Sequence, residues 1–555
     1  MSSLHLRASS PVRLAASKYE AADGNDSESP HHDDEIAPLM VEIQQQPAEQ
    51  EPPVDKLMTT LLFLFPAIGG LLFGYDIGAT SGALVSLTSP QHSGTDWYSL
   101  NAFQSGLVVS LSLAGALLGS LVALLYGDRL GRKKELLAAA GLYASSSLLL
   151  PLASTLPTVL AARLIYGLGI GLAMHAAPAY IAETSPPRVR GLLISLKEAF
   201  IVGGILAGYA ASYLFVEVDG GWRYMYGLAA LPAALLGAGM VILPESPRWL
   251  LLSGAPPGAV SRALWRVKGA GASQHAVDAE LSSMMEALVN SPKAQSEGTL
   301  DFKELCSERY RRPLAIGVSL MLFQQITGQP SVLYYAATIF QAAAVLYYAA
   351  TIFQAAGFSG ATEAAQVSLI LGLFKLVMTC VAVATVDSWG RRPLLLLGVG
   401  GIVVSLLALG TVGSGALPLG ASMAAWANLG ALLLYVGCYQ VSFGPISWLL
   451  VSFGPISWLL VGEVFPLKVR GQAIALATIT NFASNFAVSL ALPTVQQAVG
   501  QSATYFGFAG IGAVALLTIY NLVPETKGKT LEEIEALWRP EAAGNLPTRQ
   551  ESHAE

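Results

Sequence analysis

Long apolar stretches recur twelve times between Leu57 and Val523 of this 555-residue chain. Each is long enough to cross about 30 Å of hydrocarbon, where a helix satisfies every backbone polar group internally. The sequence therefore predicts an all-α membrane protein with twelve transmembrane helices. The predicted spans are 57–85, 104–126, 135–153, 158–181, 191–216, 223–243, 312–343, 366–386, 393–412, 424–460, 472–495 and 502–523.

The composition supports a membrane protein and excludes several other classes. Charged residues make up 12% of the chain, against about 25% in soluble domains. A net charge of −6 provides no basic field for a nucleic acid. The three cysteines, Cys306, Cys380 and Cys438, have neither metal-ligand nor disulfide spacing. With no catalytic triad or paired acids either, we expect no cofactor, no metal and no enzymatic activity.

The polar segments divide the chain into five parts. Residues 1–56 are rich in Ser, Pro, Gln and acids, which predicts a disordered arm with a possible targeting segment. The start of this arm resembles a transit peptide, and residues 35–40 resemble an acidic dileucine sorting signal. The third interpretation is a solvated tail without any targeting signal. The other parts are a six-helix bundle at 57–243, a linker with short amphipathic helices at 244–311, a second six-helix bundle at 312–523, and a tail at 524–555.

Basic residues accumulate on every second loop. Because Lys and Arg resist translocation, this side, called the basic side below, faces the cytosol or its equivalent, and both termini lie there. The basic residues of the loops after spans two, four, eight and ten are Arg129, Arg132, Lys133, Lys134, Arg188, Arg190, Arg391, Arg392, Lys468 and Arg470.

An internal repeat relates the two bundles. The segment 128–133 returns at 387–392, and 183–190 returns at 463–470. The step from Glu183 to Pro244 is 61 residues, and the step from Glu463 to Pro524 is again 61. The chain is thus predicted to contain two six-helix halves of the same orientation, an arrangement in which transporters place one site at the midplane.

The repeated loops, Gly-Trp-Arg at 221–223, Pro-Glu-Ser-Pro-Arg at 244–248 and Pro-Glu-Thr-Lys-Gly at 524–528 resemble the sugar porter family of the major facilitator superfamily over about 57–535. The segments 73–82, 324–330 and 437–440 are similar to a plant and algal branch that contains xylose-proton-symporter-like and vacuolar glucose transporter proteins.

This resemblance implies a monomeric transporter in the lipid bilayer that moves a monosaccharide, glucose or xylose, by alternating access with a proton in symport. It favours the plastid inner envelope or the vacuolar membrane over the plasma membrane. A facilitative carrier without proton coupling and a sugar sensor that does not transport are the alternatives.

Two charges at membrane depth are candidates for proton coupling. Asp76 lies near the middle of span one and Arg163 near the start of span four. Ionisable groups there are costly unless paired, and a carboxylate facing a guanidinium can alternate between ion-paired and protonated states. The resemblance implies that these two residues couple transport to protons. A fixed structural ion pair is the alternative.

The resemblance also implies a set of sugar contacts. Amides would bind sugar hydroxyls. The tryptophan of the Gly-Pro-Ile-Ser-Trp motif would stack on the sugar ring, with the glycine of that motif also at the site. A phenylalanine and one or the other of two adjacent tyrosines would act as gates. In order, these residues are Gln324, Gln325 and Asn481, then Trp458 and Gly454, then Phe73, Tyr334 and Tyr335.

Glu198 and Lys375 stand where other members of the family have a glutamine and an asparagine. If both face the cavity, they could pair, each offsetting the desolvation of the other. In that case, neutralising Glu198 alone is expected to be worse than neutralising both. The alternative is that Lys197 and Lys375 extend toward the loops.

Matched acids and bases on the basic side predict a conformational latch. Topology alone would explain the basic residues but not the glutamates that recur with them. The predicted latch residues are Arg129, Arg132, Glu183, Arg190, Arg391, Arg392, Glu463 and Arg470. His175 is interpreted as a hydrogen-bonded packing residue.

Two segments occur twice in tandem: 332–343 recurs at 345–356, and 441–450 recurs at 451–460. A shift of 13 or 10 residues turns the helix face by about 220° or 280°. Either a gene-model error or a true duplication explains them. If they are real, we expect span seven to use its first copy and span ten its second, which contains Trp458.

Overall fold

The computed structural model describes residues 55–269, 272–289, 308–335, 361–389, 391–418, 420–442 and 470–525. Regular structure within these ranges is helical, and each of the twelve predicted spans contains a described helix. Eight described helical segments are long and apolar enough to cross a membrane, and two shorter apolar ones lie in spans seven and eight. Residues 1–54 of the predicted arm at 1–56, and most of both tandem repeats, lie outside the described residues.

The first half contains seven helices in six spans. Asp55 accepts a hydrogen bond from the Met58 backbone N–H at 3.1 Å, so the first helix begins at Lys56. The sixth span is two helices in succession. The helices are α1 (Lys56–Thr88), α2 (Ala102–Leu130), α3 (Arg132–Leu152), α4 (Leu156–Thr184), α5 (Pro187–Phe215), α6 (Gly221–Gly227) and α7 (Ala230–Ile242).

The linker and the second half contain ten further described helices. Those of the linker are α8 (Pro247–Leu252), α9 (Pro257–Lys268) and α10 (Gln274–Val289). Those of the second half are α11 (Glu308–Ile326), α12 (Gln329–Tyr334), α13 (Ala361–Trp389), α14 (Arg391–Gly413), α15 (Ala421–Ser442), α16 (Arg470–Val499) and α17 (Gln501–Leu522).

Small residues bring the helices of the first half close together. A Cβ added to Gly167 of α4 would overlap the Ser112 carbonyl of α2 and lie 2.8 Å from the Gly115 Cα. A Cβ on Gly208 of α5 would lie 2.5 Å from the Tyr75 carbonyl of α1. Backbones that touch in this way gain packing that larger side chains would prevent.

The two halves touch each other away from the basic loops. Gly106, near the start of α2, packs against the Leu490 carbonyl of α16. Gly372 of α13 packs against Leu206 and Tyr209 of α5. The helix ends that carry these contacts face the side without basic loops, so the halves are closed on that side.

Candidate transport site

A buried ion pair lies in the first half. Arg163 Nη1 of α4 donates to Asp76 Oδ1 of α1, and the two residues are 0% and 2% exposed. Ser112 Oγ of α2 donates to the second carboxylate oxygen, Asp76 Oδ2, at 3.0 Å. Three helices therefore meet at the Asp76 carboxylate.

Arg163 is also anchored to α2 independently of Asp76. Its Nε donates to the Val108 carbonyl at 2.9 Å, and Nη2 donates to the Val109 carbonyl at 3.2 Å and to Ser112 Oγ at 2.9 Å. The guanidinium thus keeps three acceptors if the aspartate is neutralised.

Aromatic rings enclose the pair. The guanidinium carbon of Arg163 lies 5.2 Å from the ring centroid of Tyr226, and the rings of Tyr143 and Tyr166 meet edge to face at 4.8 Å. The charges of both Asp76 and Arg163 act on the hydroxyl of Tyr334, which belongs to the second half. That hydroxyl is buried without a hydrogen-bond partner among the described residues. The ion pair is therefore in electrostatic contact with the opposite half.

The predicted sugar-binding amides lie together in the second half. Asn481 Nδ2 of α16 donates to Gln324 Oε1 of α11 at 2.7 Å, and Gln324 also interacts with the Tyr439 hydroxyl. The side-chain oxygens of Gln325 and Gln329 are buried and have no partner in the described part of the chain. Buried acceptors without partners are suited to hydroxyl donors of a ligand, because leaving them unpaired is costly.

The predicted gating rings make contacts both between the halves and within the second half. Phe73 of α1 packs edge to face against Phe482 of α16, with ring centroids 6.3 Å apart. The Tyr335 hydroxyl donates to the Ser489 carbonyl of α16 at 2.9 Å, which joins α12 to α16 within the second half. Tyr209 of α5 donates to the Leu333 carbonyl at 2.8 Å, so the first copy of the tandem repeat contacts the first half.

A small crevice with room for about one water molecule lies in the second half, lined among others by Gln329, Lys375 and Tyr439. Lys375 is 6% exposed, and its Nζ lies 5.9 Å from the Tyr439 ring centroid. Lys197 is 2% exposed. Both lysine side chains are therefore buried, which disagrees with the alternative that they extend toward the loops.

Two of the predicted latch residues lie close together on the basic side. Arg132 Nε lies 3.4 Å from Glu183 Oε1, and Ser246 Oγ donates to Glu183 Oε2 at 2.5 Å. Arg129 is exposed at the end of α2. These contacts join helices within the first half, so a latch between the halves stays a prediction. Gly454, Trp458 and Glu463, and the side chains of Arg190, Arg391 and Arg470, lie outside the described part of the structure.

The structure adds a pair of glutamates that the site prediction missed. The Lys133 backbone N–H donates to Glu245 Oε1 at 3.0 Å, and the Arg392 backbone N–H donates to Glu525 Oε2 at 3.1 Å. Glu245 lies at the N-terminus of α3 and Glu525 at the N-terminus of α14, and these two helices correspond to each other in the two halves. The helix dipole favours an acid at this end of a helix. Burial raises the pKa of the Glu245 carboxyl. The repeated Pro-Glu dipeptide was the sequence signal for this position.

His175 is hydrogen-bonded, as predicted. Its Nδ1 lies 2.9 Å from Oε1 of Glu135, which is fully buried in α3.

Two helical halves, one with a buried ion pair and the other with buried amide side chains, are typical of a membrane transporter of the major facilitator type. The chain belongs to the sugar (and other) transporter family, whose model matches residues 62–538. The predicted fold class and the resemblance to sugar porters are thus confirmed.

Named relatives agree with this assignment. D-xylose-proton symporter-like 3, chloroplastic, from Arabidopsis thaliana is 49% identical over 490 residues, covering 86% of this chain and 82% of the relative. D-xylose-proton symporter-like 2 from the same plant is 47% identical over 484 residues, covering 86% and 90%. The inward-open structure of the xylose transporter XylE from E. coli is 28% identical, with a TM-score of 0.68, and the match covers 87% of this chain and 100% of XylE.

Proposed function

We propose that this protein is a secondary active transporter that moves a monosaccharide of the glucose or xylose type together with a proton, by alternating access. The observation that carries the proposal is the buried Asp76–Arg163 pair, because a carboxylate at membrane depth is costly unless it serves binding or coupling. The relatives named as xylose-proton symporters support the same class of substrate and ion.

The geometry gives each member of the pair a different part in coupling. Arg163 is held by two carbonyls of α2, whereas Asp76 is held by Arg163 and Ser112. Protonation of Asp76 removes the charge that binds α1 to this cluster, while Arg163 keeps its acceptors. Proton binding is thereby linked to the freedom of α1 to move.

Sugar would bind between the halves. Gln324, Gln325 and Asn481 supply donors and acceptors for hydroxyls, and Lys375 supplies an ammonium donor beside the crevice. Trp458 and Gly454 would complete the site from span ten. Phe73, Tyr334 and Tyr335 would close over the sugar from the side without basic loops.

On the basic side, we propose that Arg132 and Glu183, with Arg129, Arg190, Arg391, Arg392, Glu463 and Arg470, hold the closed state. The protein would act as a monomer. The chloroplastic relative favours the plastid inner envelope over the vacuolar membrane.

The test is flux of radiolabelled glucose and xylose in liposomes that contain the full chain, with and without an imposed pH gradient. Each pH unit supports about tenfold accumulation for one proton per sugar. We expect Asp76→Asn to keep exchange of labelled for unlabelled sugar and to lose accumulation. Asp96→Asn, at an exposed aspartate, is the matched control and should behave like the wild type.

Unchanged accumulation in Asp76→Asn would mean that the pair is a fixed structural element. Wild-type uptake that ignores the pH gradient and a protonophore would instead identify a facilitative carrier. Sugar binding without flux would identify a sensor.

A further inference from the structure

Two opposite charges, a partly buried glutamate and a buried lysine, lie on neighbouring helices from different halves of the protein. Glu198 lies on α5 of the first half, and Lys375 lies on α13 of the second half. The charge of each acts on the other, although no salt bridge joins these two described side chains. The two helices pack against each other, and the ion pair is not formed between these described residues in this conformation.

The packing of α5 and α13 shows how the distance between them can change. The helices meet where Gly372 contacts Leu206 and Tyr209. Lys375 lies three residues from Gly372, about 4.5 Å along α13 toward the basic side. Glu198 lies eight residues from Leu206, about 12 Å along α5 in the same direction. Both charges are therefore on the basic side of the contact between the helices.

Closure of the basic side would bring these charges together. The halves already touch on the opposite side, so alternating access requires the basic ends of α5 and α13 to approach each other. The contact at Gly372 is the point about which they would rock, and both charges lie on the part that closes.

We propose that Glu198 and Lys375 form an ion pair between the two halves when the basic side closes, and that they separate when it opens. This inference rests on the proposed function only in taking alternating access from it. In the open state, Lys375 faces the crevice beside Tyr439 and Gln329, where its ammonium group can donate to a sugar hydroxyl. In the closed state, the same group neutralises Glu198.

Among the residues that the structure describes, one other charge acts on Glu198. Lys197 is the next residue on α5 and its charge also acts on the carboxylate. Because Lys197 and Glu198 share a helix, their separation changes little when the halves move. Lys197 therefore stabilises the carboxylate in both states, whereas Lys375 distinguishes the states.

The test measures the closed fraction of the full chain in nanodiscs by double electron–electron resonance. Spin labels are placed on Leu130→Cys and Trp389→Cys, at exposed basic-side ends of α2 and α13, after Cys306, Cys380 and Cys438 are replaced by alanine. No sugar is needed, so this result is independent of whether the protein carries glucose or xylose.

We expect Glu198→Gln and Lys375→Gln each to lower the closed-to-open ratio on the order of tenfold or more, because each leaves one charge without its partner from the opposite half in the closed state. In the double variant, the closed-to-open ratio should return to within about threefold of the wild-type value. The same recovery is expected for the exchanged pair, Glu198→Lys with Lys375→Glu. Lys197→Gln, the matched control, should also stay within about threefold.

The inference is overturned if the double variant loses as much as the two single variants combined, or if the exchanged pair does not recover while its melting curve is native. A wild-type protein without a short-distance population would overturn it as well. Absence of sugar flux with the expected resonance pattern would reject the proposed substrate and leave the charge pair standing.

Discussion

Substituting Gly167 by alanine is expected to damage the proton site without touching either charge. Gly167 lies one turn after Arg163 on α4, at the point where α4 crosses α2. The added Cβ would overlap the Ser112 carbonyl and lie 2.8 Å from the Gly115 Cα. Carbon atoms pack best at about 3.5–4.0 Å, so the two helices must separate by about 1 Å.

That separation would break the bonds that hold Arg163. The distances from Nε to the Val108 carbonyl and from Nη2 to Ser112 Oγ are both 2.9 Å, so an added ångström takes them beyond hydrogen-bonding range. Overpacking alone costs about 1–3 kcal/mol, and each lost hydrogen bond to a charged group about 1.5–3 kcal/mol. Partial relaxation of the helices leaves an expected loss of about 2–4 kcal/mol in the free energy of unfolding.

The assay is denaturant unfolding in detergent micelles, combined with pH-driven sugar uptake in liposomes. Gly141→Ala on α3 is the matched control, because an added Cβ there meets nothing within 4 Å. It should stabilise the protein by about 0.4–1 kcal/mol and leave uptake unchanged. If Gly167→Ala unfolds and transports like Gly141→Ala, the proposed dependence of the proton site on the α2–α4 contact is refuted.

Three further changes test other parts of the molecule. Asn481→Ala removes the 2.7 Å bond to Gln324, and we expect the KM of sugar exchange to rise about tenfold, as for one lost hydrogen bond, with little change in maximal rate. Tyr335→Phe removes the 2.9 Å hydrogen bond to the Ser489 carbonyl, and the free energy of unfolding in micelles should fall by about 1 kcal/mol. Because burial raises the pKa of Glu245, its ionised form opposes folding as the pH rises through that pKa. Glu245→Gln should therefore have a higher melting temperature than the wild type at neutral pH, and this difference should disappear in acid.

Hydropathy predicted the spans well because a membrane imposes one structure on each apolar stretch. The predicted first span begins at 57 and α1 at Lys56, since the Asp55 cap sets the start. Span six was predicted as one helix over 223–243, but the structure has α6 and α7 with a turn between Gly227 and Ala230. Hydropathy averages over such a turn because its residues are as apolar as the helices beside it.

The proton pair was visible in the sequence because Asp76 and Arg163 are isolated charges in apolar spans. Ser112 was not, because α2 contains several serines and hydropathy does not distinguish them. Its position between the two charges depends on how α2 is rotated against α1 and α4, which is set by the contact of Gly115 with Gly167. The rotation of one helix against another is set by tertiary packing, and it cannot be read from a single sequence.

The unequal anchoring of the ion pair indicates which helix responds to the proton. Arg163 has acceptors on α2 that do not depend on Asp76, so neutralising the aspartate frees α1 and leaves α4 in place. Phe73 lies about one turn before Asp76 on α1 and packs against Phe482 of the opposite half. A shift of α1 therefore moves a ring that touches the second half. In the proposed mechanism, proton binding at Asp76 would thus be linked, through less than one turn of helix, to a contact that alternating access must break.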